Sequence, residues 1–249
     1  MQQASFFING TIRTICLPPE NTYLMLKIKW GSIFKAFTPA FWATECWYAE
    51  AEGHSANFRL GNSLAEEVAG CVLGGYGIPA EVGLAALERL RQQGCFVKDN
   101  APSFDHILKA LTIPLSIEGR IVRYRFARQK SLWLSKILPI INEDQGPEDD
   151  QDFRRWLLKF PGIGPKTASW ITRNWKNSNS VAILDIHILR AGKLMGLFES
   201  ETPAKDYFEM ERSFLSFATG LGVKTSILDS VMWSRMRSVS SFARGIPTA

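Results

Sequence analysis

Cysteine is scarce in this 249-residue chain, and none of its 4 cysteines lies beyond residue 95. Cys16, Cys46, Cys71 and Cys95 form no CxxC pair, and His54, His106 and His187 are far apart in sequence. Neither a structural zinc site nor a disulfide framework fits that spacing. Long apolar runs are also missing. No uninterrupted stretch reaches about 18 residues, the length that would suggest a membrane-spanning helix. No N-terminal signal peptide is legible. Internal repeats and regular βαβ alternation are absent as well. The expectation is a soluble protein in a reducing compartment, without metal or organic cofactor. With 46% hydrophobic residues, including 16 Phe and 8 Trp, the chain can fill a core, and global disorder is excluded.

Acidic residues are missing from particular places. Residues 120–136 hold Arg120, Arg123, Arg125, Arg128, Lys130 and Lys136 and no acid. Residues 154–193 hold Arg154, Arg155, Lys159, Lys166, Arg173, Lys176, Arg190 and Lys193, with Asp185 as the only acid. The compensating carboxylates gather in 143–152. The net charge of +5 says little by itself, but segregation of this kind suits a polyanionic partner. A solvated helix face is the plain alternative for either run.

The pattern reads as mainly α. Ser5 to Ile8 and Tyr23 to Trp30 are candidate strands, although Asn21 could equally open a helix. Residues 37–51 form an aromatic-rich helix. Ser63-Leu64-Ala65-Glu66 is a capping box for a helix through Leu73. Helices follow over 79–93, 103–111, 124–141, 151–160, 165–175, 186–194, 202–220 and 225–238. Residues 1–60 stand apart as an N-terminal segment, and 61–249 read as a helical body of two lobes around a cleft, with minor β structure near the N-terminus.

One stretch carries chemistry: Phe160-Pro161-Gly162-Ile163-Gly164-Pro165-Lys166-Thr167-Ala168. A helix, a tight glycine hairpin and a second helix expose backbone N–H groups beside a positive helix N-terminus, where a phosphate oxygen fits. Ile163 should point inward. A nucleotide P-loop is excluded, because it needs Gly directly before Lys and a strand before the loop. An ordinary helix–turn–helix packing corner stays open. Lys166 sits where a cation is disfavoured, so its amine could act as a nucleophile or simply contact phosphate. Asp185 follows nineteen residues later in Leu184-Asp185-Ile186-His187. It could cap the next helix, stabilise positive charge developing on a sugar carbon, or do both. His187 could donate to a phosphate or be an ordinary structural histidine.

These residues resemble the helix-hairpin-helix DNA glycosylase superfamily. Leu157 to Ala168 follows its Pro-Gly-[Val/Ile]-Gly-x-Lys-x-Ala signature, and the lysine-to-aspartate interval is similar to that of the 8-oxoguanine glycosylase/lyase branch. Ala168-Ser169-Trp170-Ile171-Thr172-Arg173-Asn174, Ala182 to Leu189, Arg123 to Lys130 and Leu228 to Trp233 resemble the compact prokaryotic form of that branch. The resemblance covers about residues 120–235. It implies Lys166 as Schiff-base nucleophile and Asp185 as essential acid. It implies Pro161, Gly162, Gly164 and His187 at the DNA backbone, with Arg123, Arg128 and Arg173 on the basic surface. Trp170, Trp233 and Tyr76 are candidate walls of a base pocket, or core. The iron–sulfur branch is excluded, because no cysteines follow the hairpin. The implied activity is excision of an oxidised purine, 8-oxoguanine first, with strand nicking by β-elimination. The implied partner is double-stranded DNA bearing a damaged base, bound by a monomer without membrane contact in the prokaryotic cytoplasm at the nucleoid. A monofunctional glycosylase and a non-catalytic helix-hairpin-helix DNA-binding module are the alternatives. The compact form ends in a lysine that helps define base recognition, whereas this chain ends Ile246-Pro247-Thr248-Ala249.

Overall fold

The computed structural model describes residues 1–53, 58–75, 77–97, 101–200 and 206–245. Two compact units emerge: residues 1–57 with 179–249, and residues 58–178. The fold is mainly helical with small antiparallel strand pairs, as the sequence suggested.

The first unit opens with β1 (Gln2–Ile8) and β2 (Thr11–Leu17). Asn9 and Gly10 join them with φ of 49° and 80°. Asn-Gly tolerates those angles, and the resulting turn matches strand twist. Burial alternates along β1, as expected of a strand with one covered face. A second pair, β3 (Tyr23–Met25) and β4 (Ile28–Lys29), occupies the stretch that also read as a possible helix. Helix α1 (Pro39–Ala51) starts at Thr38, whose hydroxyl accepts from the Phe41 amide at 3.1 Å. Helices α8 (Ile186–Met195), α9 (Tyr207–Leu221) and α10 (Thr225–Gly245) complete this unit. Trp42 and Cys46 of α1, Leu189 of α8, Phe214 and Phe217 of α9, and Leu228 and Met232 of α10 are buried and form its core.

The second unit is α2 (Leu64–Leu73), α3 (Ala80–Gln92), α4 (Phe104–Thr112), a hairpin of β5 (Leu115–Ile117) and β6 (Arg120–Val122), α5 (Ala127–Glu143), α6 (Asp150–Leu157) and α7 (Pro165–Lys176). The capping box forms. Ser63 Oγ accepts from the Glu66 amide at 3.2 Å, and Glu66 Oε2 accepts from the Asn62 amide at 2.9 Å. Each helix contributes to one core: Val68, Leu87, Ile107, Leu134, Phe153 and Ile171 come in order from α2 to α7. The expected helix from residue 124 begins three residues later. Residues 120–122 pair in β6, and the buried Tyr124 hydroxyl donates to the Leu73 carbonyl at 2.6 Å. That bond holds the chain across the end of α2 before α5 can start.

Candidate active site and nucleic-acid interface

The hairpin lies between α6 and α7, and its two glycines do different work. Gly162 has φ +77°, and a Cβ there would sit 2.2 Å from the Trp133 ring of α5. Conformation and packing both require glycine at that position. Gly164 is the N-cap of α7 with an extended backbone (φ −91°, ψ 178°), and an added Cβ would meet nothing within 4 Å. Neither strain nor crowding explains Gly164. A bare residue there leaves the first turn of α7 without a side-chain cap, so its amide groups are open to an incoming anion. Ile163 is buried and anchors the turn, and Pro165 takes the first helical position.

Lys166 is half-buried in that first turn. Its amine lies by the loop that ends α2: a Cβ on Gly75 would be 3.8 Å from Lys166 Nζ. Trp170, one turn along, packs at the same loop, 3.0 Å from where a Cβ on Gly74 would stand. Gly74 therefore makes room for the indole, whereas at Gly75 the positive φ of 77°, and not crowding by the lysine amine, calls for glycine. Tyr76, the third candidate wall, falls outside the described residues.

The basic residues divide. Arg123 and Arg128 are exposed, whereas Arg173 is only 8% exposed, with its guanidinium 4.0 Å from the Phe58 ring centroid. Arg173 was expected on the DNA-facing surface, but it is an interior side chain on the covered face of α7. Lys130 also departs from its run. It is 1% exposed, with Nζ 4.7 Å from the Trp133 ring centroid. Burial, and then the charge of Lys166, bring its pKa down to about 8. Sequence reasoning counted Lys130 as surface charge. The signal was present all the same: Lys130 falls in step with Leu134, Ile137, Leu138 and Ile141, the buried stripe of α5. Glu67 of α2 is fully buried too. It accepts from the Leu60 amide (2.6 Å), the Gly61 amide (3.1 Å) and Asn174 Nδ2 of α7 (2.6 Å). This carboxylate ties the helix that carries Lys166 to α2. Burial, and after it Glu67, push the nearby Cys71 thiol well above the usual range, so that thiol is not a nucleophile.

In the first unit, Asp185 is the N-cap of α8. Its Oδ1 accepts from the His187 amide at 2.8 Å and the Ile188 amide at 3.0 Å. Both bonds use one oxygen, so capping leaves Oδ2 for other chemistry. The segment that delivers Asp185 is held from α9. Tyr207 Oη donates to the Ala182 carbonyl at 2.7 Å and accepts from the Leu184 amide at 3.2 Å, while Glu211 Oε1 accepts from the Ala182 amide at 2.9 Å. Sequence reasoning missed both clamps, since nothing local distinguishes a buried Glu or Tyr on α9 from its neighbours. His187 packs edge-on against Trp233 of α10 at 6.3 Å between centroids. Trp233 is 37% exposed and has the Arg237 guanidinium 5.1 Å from its ring centroid. No group of three His, Cys, Asp or Glu side chains suited to a metal occurs among the described residues.

A helix-hairpin-helix with a lysine in the opening turn of its second helix defines a class, and the comparisons specify it. The chain belongs to the 8-oxoguanine DNA glycosylase family, whose model matches residues 54–223. Two relatives are named 8-oxoguanine DNA glycosylase/AP lyase. The one from Metallosphaera sedula is 34% identical over 34% of this chain and 42% of its own length. The one from Saccharolobus solfataricus is 32% identical over 45% of this chain and 58% of its own length. The chain thus matches about half the length of these relatives. Its fold is shared with the 8-oxoguanine DNA glycosylase of Methanocaldococcus jannaschii (TM-score 0.56, 19% identity, 80% of this chain and 87% of that one). The same enzyme in complex with a 15mer DNA containing 8-oxoguanine gives a TM-score of 0.57 at 19% identity, over 80% of this chain and 90% of that one. The 8-oxoguanine DNA glycosylase of Thermotoga maritima gives 0.54 at 22% identity, over 79% and 88%. Among the described residues, no helix is long and apolar enough to cross a membrane.

Proposed function

We propose that this protein excises an oxidised purine, 8-oxoguanine foremost, from double-stranded DNA and nicks the strand through a lysine Schiff base. The observation that carries the reading is the opening of α7: bare amides at Gly164 with Lys166 in the same turn. One helix end then offers a phosphate grip and an amine. In this reading the damaged nucleotide leaves the stack, which costs least where pairing is already weakened. Lys166 Nζ attacks C1′ as the bond to the base breaks. The Asp185 carboxylate stabilises positive charge on the sugar. Loss of the C2′ proton from the Schiff base then expels the 3′ phosphate. Arg123, Arg128 and the amides around Pro161, Gly162 and Gly164 hold the backbone, with His187 as a further contact and Trp170 and Trp233 as pocket walls. The protein works as a monomer at the nucleoid.

Borohydride trapping on duplexes carrying 8-oxoguanine, uracil, an alkylated purine or no lesion tests the proposal. Covalent capture on the 8-oxoguanine duplex is expected, and Lys166→Gln abolishes it while duplex binding persists. Capture that survives in Lys166→Gln removes the nucleophile. Excision without capture supports a monofunctional enzyme, and tight binding without excision of any lesion supports a DNA-binding module.

A further inference from the structure

The chain that leads into Asp185 is buried at Val181, Ala182 and Leu184, and it lies outside the helices and strand pairs. Buried backbone groups need partners, and regular secondary structure supplies none to such a segment. Two buried side chains of α9, one turn apart on the same face, take that place. Tyr207 Oη donates to the Ala182 carbonyl at 2.7 Å and accepts from the Leu184 amide at 3.2 Å. Glu211 Oε1 accepts from the Ala182 amide at 2.9 Å. Ala182 is thus held at both its N–H and its C=O. The Asp185 amide donates to the Ile183 carbonyl at 2.9 Å, which closes a tight turn centred on Leu184. Tyr207 grips the central peptide of that turn. Any shift of the Leu184 peptide carries Asp185 with it, and the Tyr207 bond opposes the shift.

Apolar side chains at 207 and 211 would fill the same space without burying a phenol and a carboxylate. They would leave the Ala182 and Leu184 backbone groups unpaired in the interior. The polar ends of both α9 residues therefore act on the stretch that places Asp185. On the other side of Asp185, its own Oδ1 grips the first turn of α8.

We infer that Tyr207 and Glu211 are positioning residues for Asp185: α9 holds the turn that sets where the carboxylate stands. The inference rests on the proposed excision reading, in which Asp185 stabilises positive charge on the sugar as the base leaves. Stabilisation of that kind depends on a charge fixed in place before the reaction. It also belongs to one step. At a preformed abasic site the base has already gone, and Lys166 condenses with the sugar aldehyde without that charge developing. Loss of the clamp should slow excision and spare capture at a preformed abasic site, whereas general damage to the fold would slow both.

The test compares Tyr207→Phe and Glu211→Gln with the wild type in single-turnover excision from an 8-oxoguanine duplex. Borohydride trapping on a preformed abasic site and binding to a tetrahydrofuran-containing duplex run alongside. Excision should fall about tenfold to a hundredfold in Tyr207→Phe, the scale of a small misplacement of a reacting group. It should fall less in Glu211→Gln, whose amide oxygen is a weaker acceptor than a carboxylate. Abasic-site trapping and duplex affinity should stay at the wild-type level. In an Asp185→Asn background neither α9 substitution should slow excision further, because no carboxylate charge is left to place. Wild-type excision by Tyr207→Phe, equal losses of excision and abasic-site trapping, or losses that multiply with that of Asp185→Asn overturn the inference. If Tyr207→Phe does not fold, the same readings on Glu211→Gln decide. A wild type that excises no lesion overturns the excision reading and this inference together, whereas normal wild-type excision with unaffected α9 variants removes the clamp alone.

Discussion

Asp185 caps α8, and the proposed mechanism gives the same side chain a second job. Its Oδ1 takes two α8 amides, a local requirement of any helix start. The proposed electrostatic role needs only the charge. The two jobs separate by substitution. Asparagine caps as well as aspartate, so Asp185→Asn should leave stability within about 0.5 kcal/mol while excision falls about a hundredfold to a thousandfold. Asp185→Ala should lose activity as well and also about 1 kcal/mol of stability from the missing cap. Thermal melts alongside single-turnover excision read both quantities, and normal excision by Asp185→Asn refutes the charge role. Sequence alone left the two readings of Asp185 side by side, because a cap and a catalytic carboxylate share a residue type and a position. The structure shows the cap and puts it on Oδ1, which leaves Oδ2 for the proposed role.

At the scale of the element, the hairpin's glycines separate the same way. Gly162→Ala should cost about 1 kcal/mol or more from the left-handed φ alone, with the Trp133 clash added to it. Gly164→Ala meets nothing and needs no unusual φ, so its melting temperature should barely change. Its duplex affinity should fall, because the new methyl stands at the mouth of the α7 amides. Melting curves and fluorescence anisotropy distinguish the pair. Equal loss of stability in both would mean that the hairpin is only a packing corner. The motif spacing announced this element, and most helices were legible from caps and apolar periodicity: Ser63, Ser103, Pro165 and Asp185 all stand at or next to helix starts. The β5–β6 hairpin was not anticipated, since each of its strands has only three residues, too few to show a period.

Across the whole molecule, the basic excess divides into exposed and interior charge. If DNA binding is electrostatic, log K should fall linearly with log salt, and each lost phosphate contact should reduce the slope by about 1. Arg123→Ala and Arg128→Ala should each do so. Arg173→Met should lower stability and leave the slope alone, because its guanidinium packs on Phe58 inside the fold. A slope change for Arg173→Met equal to that of the exposed arginines would contradict this division. The sequence by itself determined the mainly helical class, the hairpin, the Lys166–Asp185 interval and the family, because caps, turns and motif spacings are local and survive in one dimension. Only the tertiary structure decided which cations face solvent, that Trp133 lies under Gly162, that Tyr207 and Glu211 hold the segment before Asp185, and that Lys130 is buried against Trp133. Those facts depend on contacts between residues tens of positions apart, and a side chain's charge does not say on which side of the surface it will lie.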